Sequence, residues 1–215
     1  VLLVAFPFWE RHTASPVVDF SLLRRGAFLG GGSIIALQNM AMYPLLFQLP
    51  VFFDRVRHLG ARTMGQALLA LTLAMMLSSV VGGRLTEFIG ARAQTLAGSL
   101  LALTGLWWFA DFDSIRVPFD VMPGMLLMGA GVGLTSPPAQ AASMSTVGRE
   151  QAGMAGGVVS TMRYIGGVAG TTALGVLLHD SASPASHQRL LFVYAGALIV
   201  AAALSALLPG RQKRA

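Results

Sequence analysis

Residues 121–178 read VMPGMLLMGAGVGLTSPPAQAASMSTVGREQAGMAGGVVSTMRYIGGVAGTTALGVLL, and this stretch decides the fold. It consists of two long apolar segments joined by one short charged turn, Gly148-Arg149-Glu150-Gln151. The first segment carries Ser136-Pro137-Pro138 deep inside it. The second carries a single charge, Arg163, followed by Gly166, Gly167 and Gly170. An ordinary soluble core has no place for a double proline and a lone arginine inside apolar runs of this length. In a lipid-embedded bundle each has a meaning: neighbouring helices can satisfy the carbonyls that proline frees, and a charge in a span marks a cavity or a pathway.

The rest of the chain repeats the pattern. Charged residues make up 11% of the 215 residues, against about a quarter in a typical soluble domain. Mean hydropathy is +0.67. Six runs, Ala27–Phe53, Met64–Gly83, Ala93–Ala110, Val121–Val147, Ala152–Leu178 and Leu190–Leu208, are each close to the roughly 20 residues that cross a ~30 Å hydrocarbon core, or longer. Only the fifth contains a charged residue. These runs do not alternate as strands of a barrel would, so an all-α membrane protein with six transmembrane helices is expected. The segment before them, Val1–Phe8, is apolar, lacks a basic leader and reads as the tail of a preceding transmembrane helix. Residues 9–26 are then a cytoplasmic linker, 27–208 the six-helix half-bundle and 209–215 a cytoplasmic tail.

Net charge is +6, but the basic residues are almost all Arg and sit in short tracts between apolar runs. That arrangement belongs to membrane loops and speaks against nucleic acid as a partner. Counted alternately, tracts on one side hold nine basic residues and tracts on the other hold five. The positive-inside rule therefore puts the Trp9–Gly26 tract and the C-terminus in the cytoplasm and Asp111-Phe112-Asp113 outside. Absence of Cys excludes disulfides and thiolate metal sites. His12, His58, His179 and His187 are too scattered for a metal site, and no nucleophile–base pair is visible, so neither an enzyme nor a cofactor is expected. Gly129-Ala130-Gly131-Val132-Gly133 lacks the flanking strand and the following acid of a dinucleotide turn. Four-residue glycine pairs, Gly26/Gly30, Gly129/Gly133, Gly153/Gly157 and Gly166/Gly170, read instead as helix crossings.

Polar residues in a span face the bundle interior or a cavity. Gln38, Asn39, Tyr43 and Gln48 mark the first helix; Ser136, Pro137, Pro138, Gln140 and Ser143 mark the fourth; Arg163 marks the fifth. Gln38, Asn39, Tyr43, Pro137, Pro138, Gln140 and Arg163 are the candidates for a substrate cavity or for coupling. At ~1.5 Å per residue from Ala152, Arg163 lies about 16 Å deep, near the midplane and level with Gln38 and Asn39. The third and sixth helices are plain and can face lipid. Met40, Met42, Met128 and Met162 are further candidates, because Met suits an adaptable binding surface and equally fills membrane helices.

Gly83, Glu87, Gly90 and Arg92, after the second run, fall on the loop signature Gly-x-x-x-Asp-Arg/Lys-x-Gly-x-Arg/Lys of the major facilitator superfamily, which this tract resembles. Glu87 replaces the usual Asp, and Phe88 stands where a basic residue is usual, which implies a weaker cytoplasmic gate lock. Residues 131–138, Gly148–Gly153 and Ser160–Gly167, with the linker Pro16–Arg25, resemble the 14-helix drug:proton antiporters of the EmrB/QacA type. That resemblance implies the C-terminal half of a major facilitator fold in the inner (plasma) membrane. It implies a small-molecule substrate, protons as coupling ion, and an N-terminal half carrying the coupling acids. No Asp or Glu lies inside the six runs. Efflux of drugs, amphipathic or cationic compounds is the function expected. Transport of one defined metabolite, a non-transporting membrane module and a soluble enzyme on the glycine run are the alternatives.

Overall fold

The computed structural model describes residues 20–57, 61–109, 118–178 and 184–210. Val1–Phe8, most of the linker, the Asp111–Asp113 tract and the last five residues lie outside them. Six helices follow in order: α1 Gly26–Arg57, α2 Ala61–Ile89, α3 Ala91–Trp107, α4 Pro118–Met144, α5 Ala152–Leu178 and α6 Pro184–Leu204. Short 3-10 turns precede α1, link α4 to α5 and follow α6. The bundle is all-α among the described residues, and its helices coincide with the six apolar runs. Three of them, over Gly65–Ile89, Phe119–Met144 and Arg189–Leu207, are long and apolar enough to cross a membrane by length and composition. Among the other three, α3 has 17 residues, α1 carries Gln38 and Asn39 in its middle, and α5 is diluted by Gly, Thr and Arg163.

The loop signature of the gate is mostly helix. The second run does not stop at Gly83; α2 continues two turns further, so Gly83 and Glu87 are helical and exposed. The turn itself is one residue, Gly90, with φ 83° and ψ 156°. A side chain there would be strained, which explains glycine at this position.

Helix α4 is the hub, packing on α2 and α3 along its length and on α1 near its C-terminal end. Two stripes of glycine explain how. A Cβ on Gly129 or Gly133 would collide with the backbone carbonyls of Leu71 and Met75 in α2. A Cβ on Gly124 would strike the Phe109 ring, and one on Gly131 would strike Gly98 and Ala102 of α3. The fit is reciprocal, because Gly98 and Gly105 of α3 meet Thr135 and Met128 of α4. On the other side of the bundle, Gly166 and Gly170 of α5 leave room only for the Ala36 and Met40 carbonyls of α1. Lipid offers no hydrophobic drive between helices, so close backbone approach is what holds them. Of the four expected pairs, Gly129/Gly133 and Gly166/Gly170 are crossings. Gly30 meets Leu207, but Gly26, Gly153 and Gly157 face open space.

An apolar cluster sits at each end of the bundle. One gathers Leu45, Leu71, Leu106, Phe109, Met125, Met128 and Tyr194. The other gathers Phe28, Ile34, Ile35, Ala139, Val159 and Leu208. Outward-facing side chains are also large and apolar, as on α2, where Leu69, Leu73, Leu77, Val80 and Val81 are exposed. Such a surface suits a lipid environment. Helix α3 is less plain than expected, although Leu96 and Leu100 on its outer side are exposed and can face lipid. Its Gln94, Thr95 and Ser99 are buried, and of the three long apolar spans the one in α2 is the least buried.

Candidate functional site

Proline has no N–H, so Pro138 leaves the Leu134 carbonyl of α4 without its intrahelical donor. In a membrane that carbonyl needs another partner. Gln94 of α3 supplies it, through an Nε2 donor 2.8 Å from Leu134 O. The same nitrogen donates to Gly82 O of α2 at 2.8 Å, and Thr86 Oγ1 donates to Gln94 Oε1 at 3.0 Å. One buried amide thus ties three helices together. Gly82 permits it, because a Cβ there would press on Gln94 Nε2. Helix α4 runs unbroken through Pro137 and Pro138.

The opposite face of α4 is open. Helices α4 and α5 scarcely touch. Beside the gap is a cavity of about 450 Å³ bounded by α1, α2, α4 and α5. Asn39, Met42 and Tyr43 line it from α1; Met75, Met76 and Ser79 from α2; Val132, Gly133 and Ser136 from α4; and Arg163 from α5. The Tyr43 ring lies against Gly167, where a Cβ would crowd it. Arg163 is half-buried and donates from Nη2 to Gln140 Oε1 at 3.3 Å. No carboxylate among the described residues pairs with it. This hydrogen bond bridges α4 and α5 across the gap.

The candidates therefore divide. Asn39, Tyr43 and Arg163 border the cavity, and Gln140 holds Arg163. Asn39 also donates to Ile35 O at 2.7 Å within its own helix. Gln38 is fully buried and turns the other way, its Nε2 3.5 Å from Ser99 Oγ of α3. Of the methionines singled out, Met42 lines the cavity, Met128 is core, and Met162 packs where Gly32 leaves space. Pro138 lines a second cavity of about 390 Å³ near the C-terminal end of α4, with Thr86, Glu87 and Gly90 of the loop signature. Pro137 is half-buried beside it. Arg92 is exposed, and its backbone N–H reaches Pro209 O at 3.3 Å. Sequence reading missed Gln94, Met75, Met76 and Ser79.

At the α4 C-terminal end, α1 and the turn before it close onto α4. Gly31 lies so close to α4 that a Cβ would strike the Ala139 carbonyl and Ser143 Oγ. Ser143 Oγ donates to Phe28 O at 3.1 Å, and Arg25 donates to Thr146 O.

An all-α bundle with apolar outer faces and a cavity of mostly apolar walls bordered by a few polar groups is a polytopic membrane protein. This chain belongs to the Major Facilitator Superfamily, whose profile matches residues 5–171. It is 32% identical over 173 residues to the multidrug resistance protein Stp of Mycobacterium tuberculosis, an alignment covering 80% of this chain and 32% of that protein. It is 26% identical to the methylenomycin A resistance protein of Streptomyces coelicolor, over 92% of this chain and 42% of the other. It is 30% identical to a probable triacylglyceride transporter of Mycobacterium bovis, over 81% of this chain and 36% of the other. The chain spans about a third to two-fifths of the length of these relatives.

Proposed function

We propose that the chain is the C-terminal half-bundle of a proton-coupled exporter of amphipathic compounds. The observation that carries this is the cavity between α1, α2, α4 and α5, with three methionines and Tyr43 on its walls and one charge, Arg163, at its edge. Adaptable apolar walls with few polar groups suit substrates of varied shape. In this reading residues 1–8 end the preceding helix, and 9–26 and 209–215 face the cytoplasm with the Gly83, Glu87, Gly90 and Arg92 gate tract. Among the described residues no carboxylate lines the cavity, and in this reading the proton-carrying acid belongs to the N-terminal half, against which this half rocks about a shared site. The multidrug name of Stp supports breadth of substrate. The names of the methylenomycin and triacylglyceride relatives support the narrower reading, export of one chemical class.

The test uses the full-length protein in inverted vesicles. Imposing a proton gradient is expected to drive accumulation of several unrelated amphipaths, and collapsing the gradient abolishes it. Accumulation of one class alone selects the narrower reading, and no gradient-dependent accumulation contradicts both. Because the chain has no Cys, single-cysteine labelling tests orientation. Labelling from outside at Ser21 or Gln212, or protection at Ser114, contradicts it.

A further inference from the structure

We infer that the substrates this half-bundle accepts carry an anionic head on an apolar body, rather than a cationic one; this rests on the cavity being the substrate site. The walls hold Met42, Met75, Tyr43 and Val132, which suit an apolar body, and Ser136, a neutral polar contact. One charge borders them, the guanidinium of Arg163. Its partner Gln140 is neutral, so among the described residues of this half the charge is hydrogen-bonded but not compensated. That single 3.3 Å bond leaves most of the guanidinium N–H donors uncommitted, in the planar arrangement that fits a carboxylate. In a site bounded by lipid-embedded helices such a charge acts through a low dielectric. It attracts an anion and repels an ammonium over the same distance. A neutral acceptor on α4 also makes exchange easy. A substrate carboxylate can replace Gln140 on Arg163 without breaking an ion pair.

Three pyrene probes with the same body separate the heads: pyrenebutanoate, pyrenebutanol and pyrenebutyl-trimethylammonium. Their binding to the purified full-length protein is read by fluorescence, apart from transport. Wild type is expected to bind the butanoate at least about tenfold more tightly than the ammonium, with the alcohol between. Arg163→Gln brings the ratio near one, and Arg163→Lys keeps part of it, since the charge remains but the fork is lost. Gln140→Glu, at an exposed position, places a carboxylate on Arg163 and is expected to lower the preference about as far without removing a wall of the cavity. A wild-type preference for the ammonium overturns the proposal, as does a ratio unmoved by both Arg163→Gln and Gln140→Glu, or failure of all three probes to bind. Binding with the expected order but no gradient-driven movement of any probe leaves this inference standing and contradicts export instead.

Discussion

The two faces of α4 are built on opposite terms. Toward α2 and α3 the helix is shut: Gly124, Gly129, Gly131 and Gly133 bring backbones into contact, and Gln94 bonds the Leu134 carbonyl that Pro138 left without its donor. Toward α5 it is open: Ser136 faces a cavity, and Gln140 reaches across to Arg163. The same double proline serves both faces. Pro138 leaves the Leu134 carbonyl to be bonded by Gln94 on the shut side, and Ser136, just before the prolines, borders the cavity on the other. One side is thus closely packed, while on the other α4 and α5 scarcely touch.

The first way to break this contrast is to crowd the shut face. Gly129→Val drives a branched side chain into the Leu71 carbonyl, and overpacking of this kind costs about 3 kcal/mol or more. The full-length protein is expected to lose most of its monodisperse, folded fraction on size exclusion, whereas Ser136→Ala on the open face leaves it intact.

Gln94→Leu is the next largest effect. It strips the partner from Leu134 O and Gly82 O at once, a loss of about 2–4 kcal/mol that lowers the thermal midpoint in detergent. A double-mutant cycle sharpens this. Pro138→Ala restores an N–H to Leu134 O, so Gln94→Leu is expected to cost less in that background than in wild type. Equal costs would show that the amide does not answer the proline.

Replacing both Pro137 and Pro138 by Ala tests whether the prolines serve turnover as well as packing. It is expected to cut transport turnover severalfold while expression stays near normal, and unchanged turnover would leave the prolines only a static role. The smallest effect belongs to Gly153→Ala and Gly157→Ala. Both glycines face open space, so helix propensity alone acts, giving a change within about 1 kcal/mol in the stabilising direction. A large destabilisation at either would place a helix where this bundle has none.

Much of the fold was legible because span length and charge exclusion are local signals, and the six helices fall on the six apolar runs. The glycine crossings were legible where spacing was four residues, as at Gly166/Gly170, which repeat after about one turn on one face. The pairs Gly98/Gly105 and Gly124/Gly131 repeat after seven, two turns, and a search at seven would have found them. Part of the site was legible too. Arg163 stood out as the one charge within a span, and Asn39 and Tyr43 as polar groups in an apolar helix. The side each faces is set by neighbours, so Gln38, one residue from Asn39, points to Ser99 instead of the cavity. Gln94 was hidden near the start of its helix, where a polar residue looks like an end. Its role depends on the carbonyl freed by Pro138, forty-four residues further along the chain.

The contrast between the faces is tested most directly at two adjacent residues. Thr135 is fully buried against α3, with Oγ1 bonded to Gly131 O at 2.9 Å, and Ser136 borders the cavity. Thr135→Cys and Ser136→Cys, made singly in the full-length protein freed of other cysteines, are exposed to a small water-soluble thiol reagent. Fast modification at Ser136→Cys, slowed by a transported compound, with Thr135→Cys unreactive, is the result expected. Equal rates at the two positions, or a protected Ser136→Cys, would contradict a helix with one sealed face and one face on a substrate cavity.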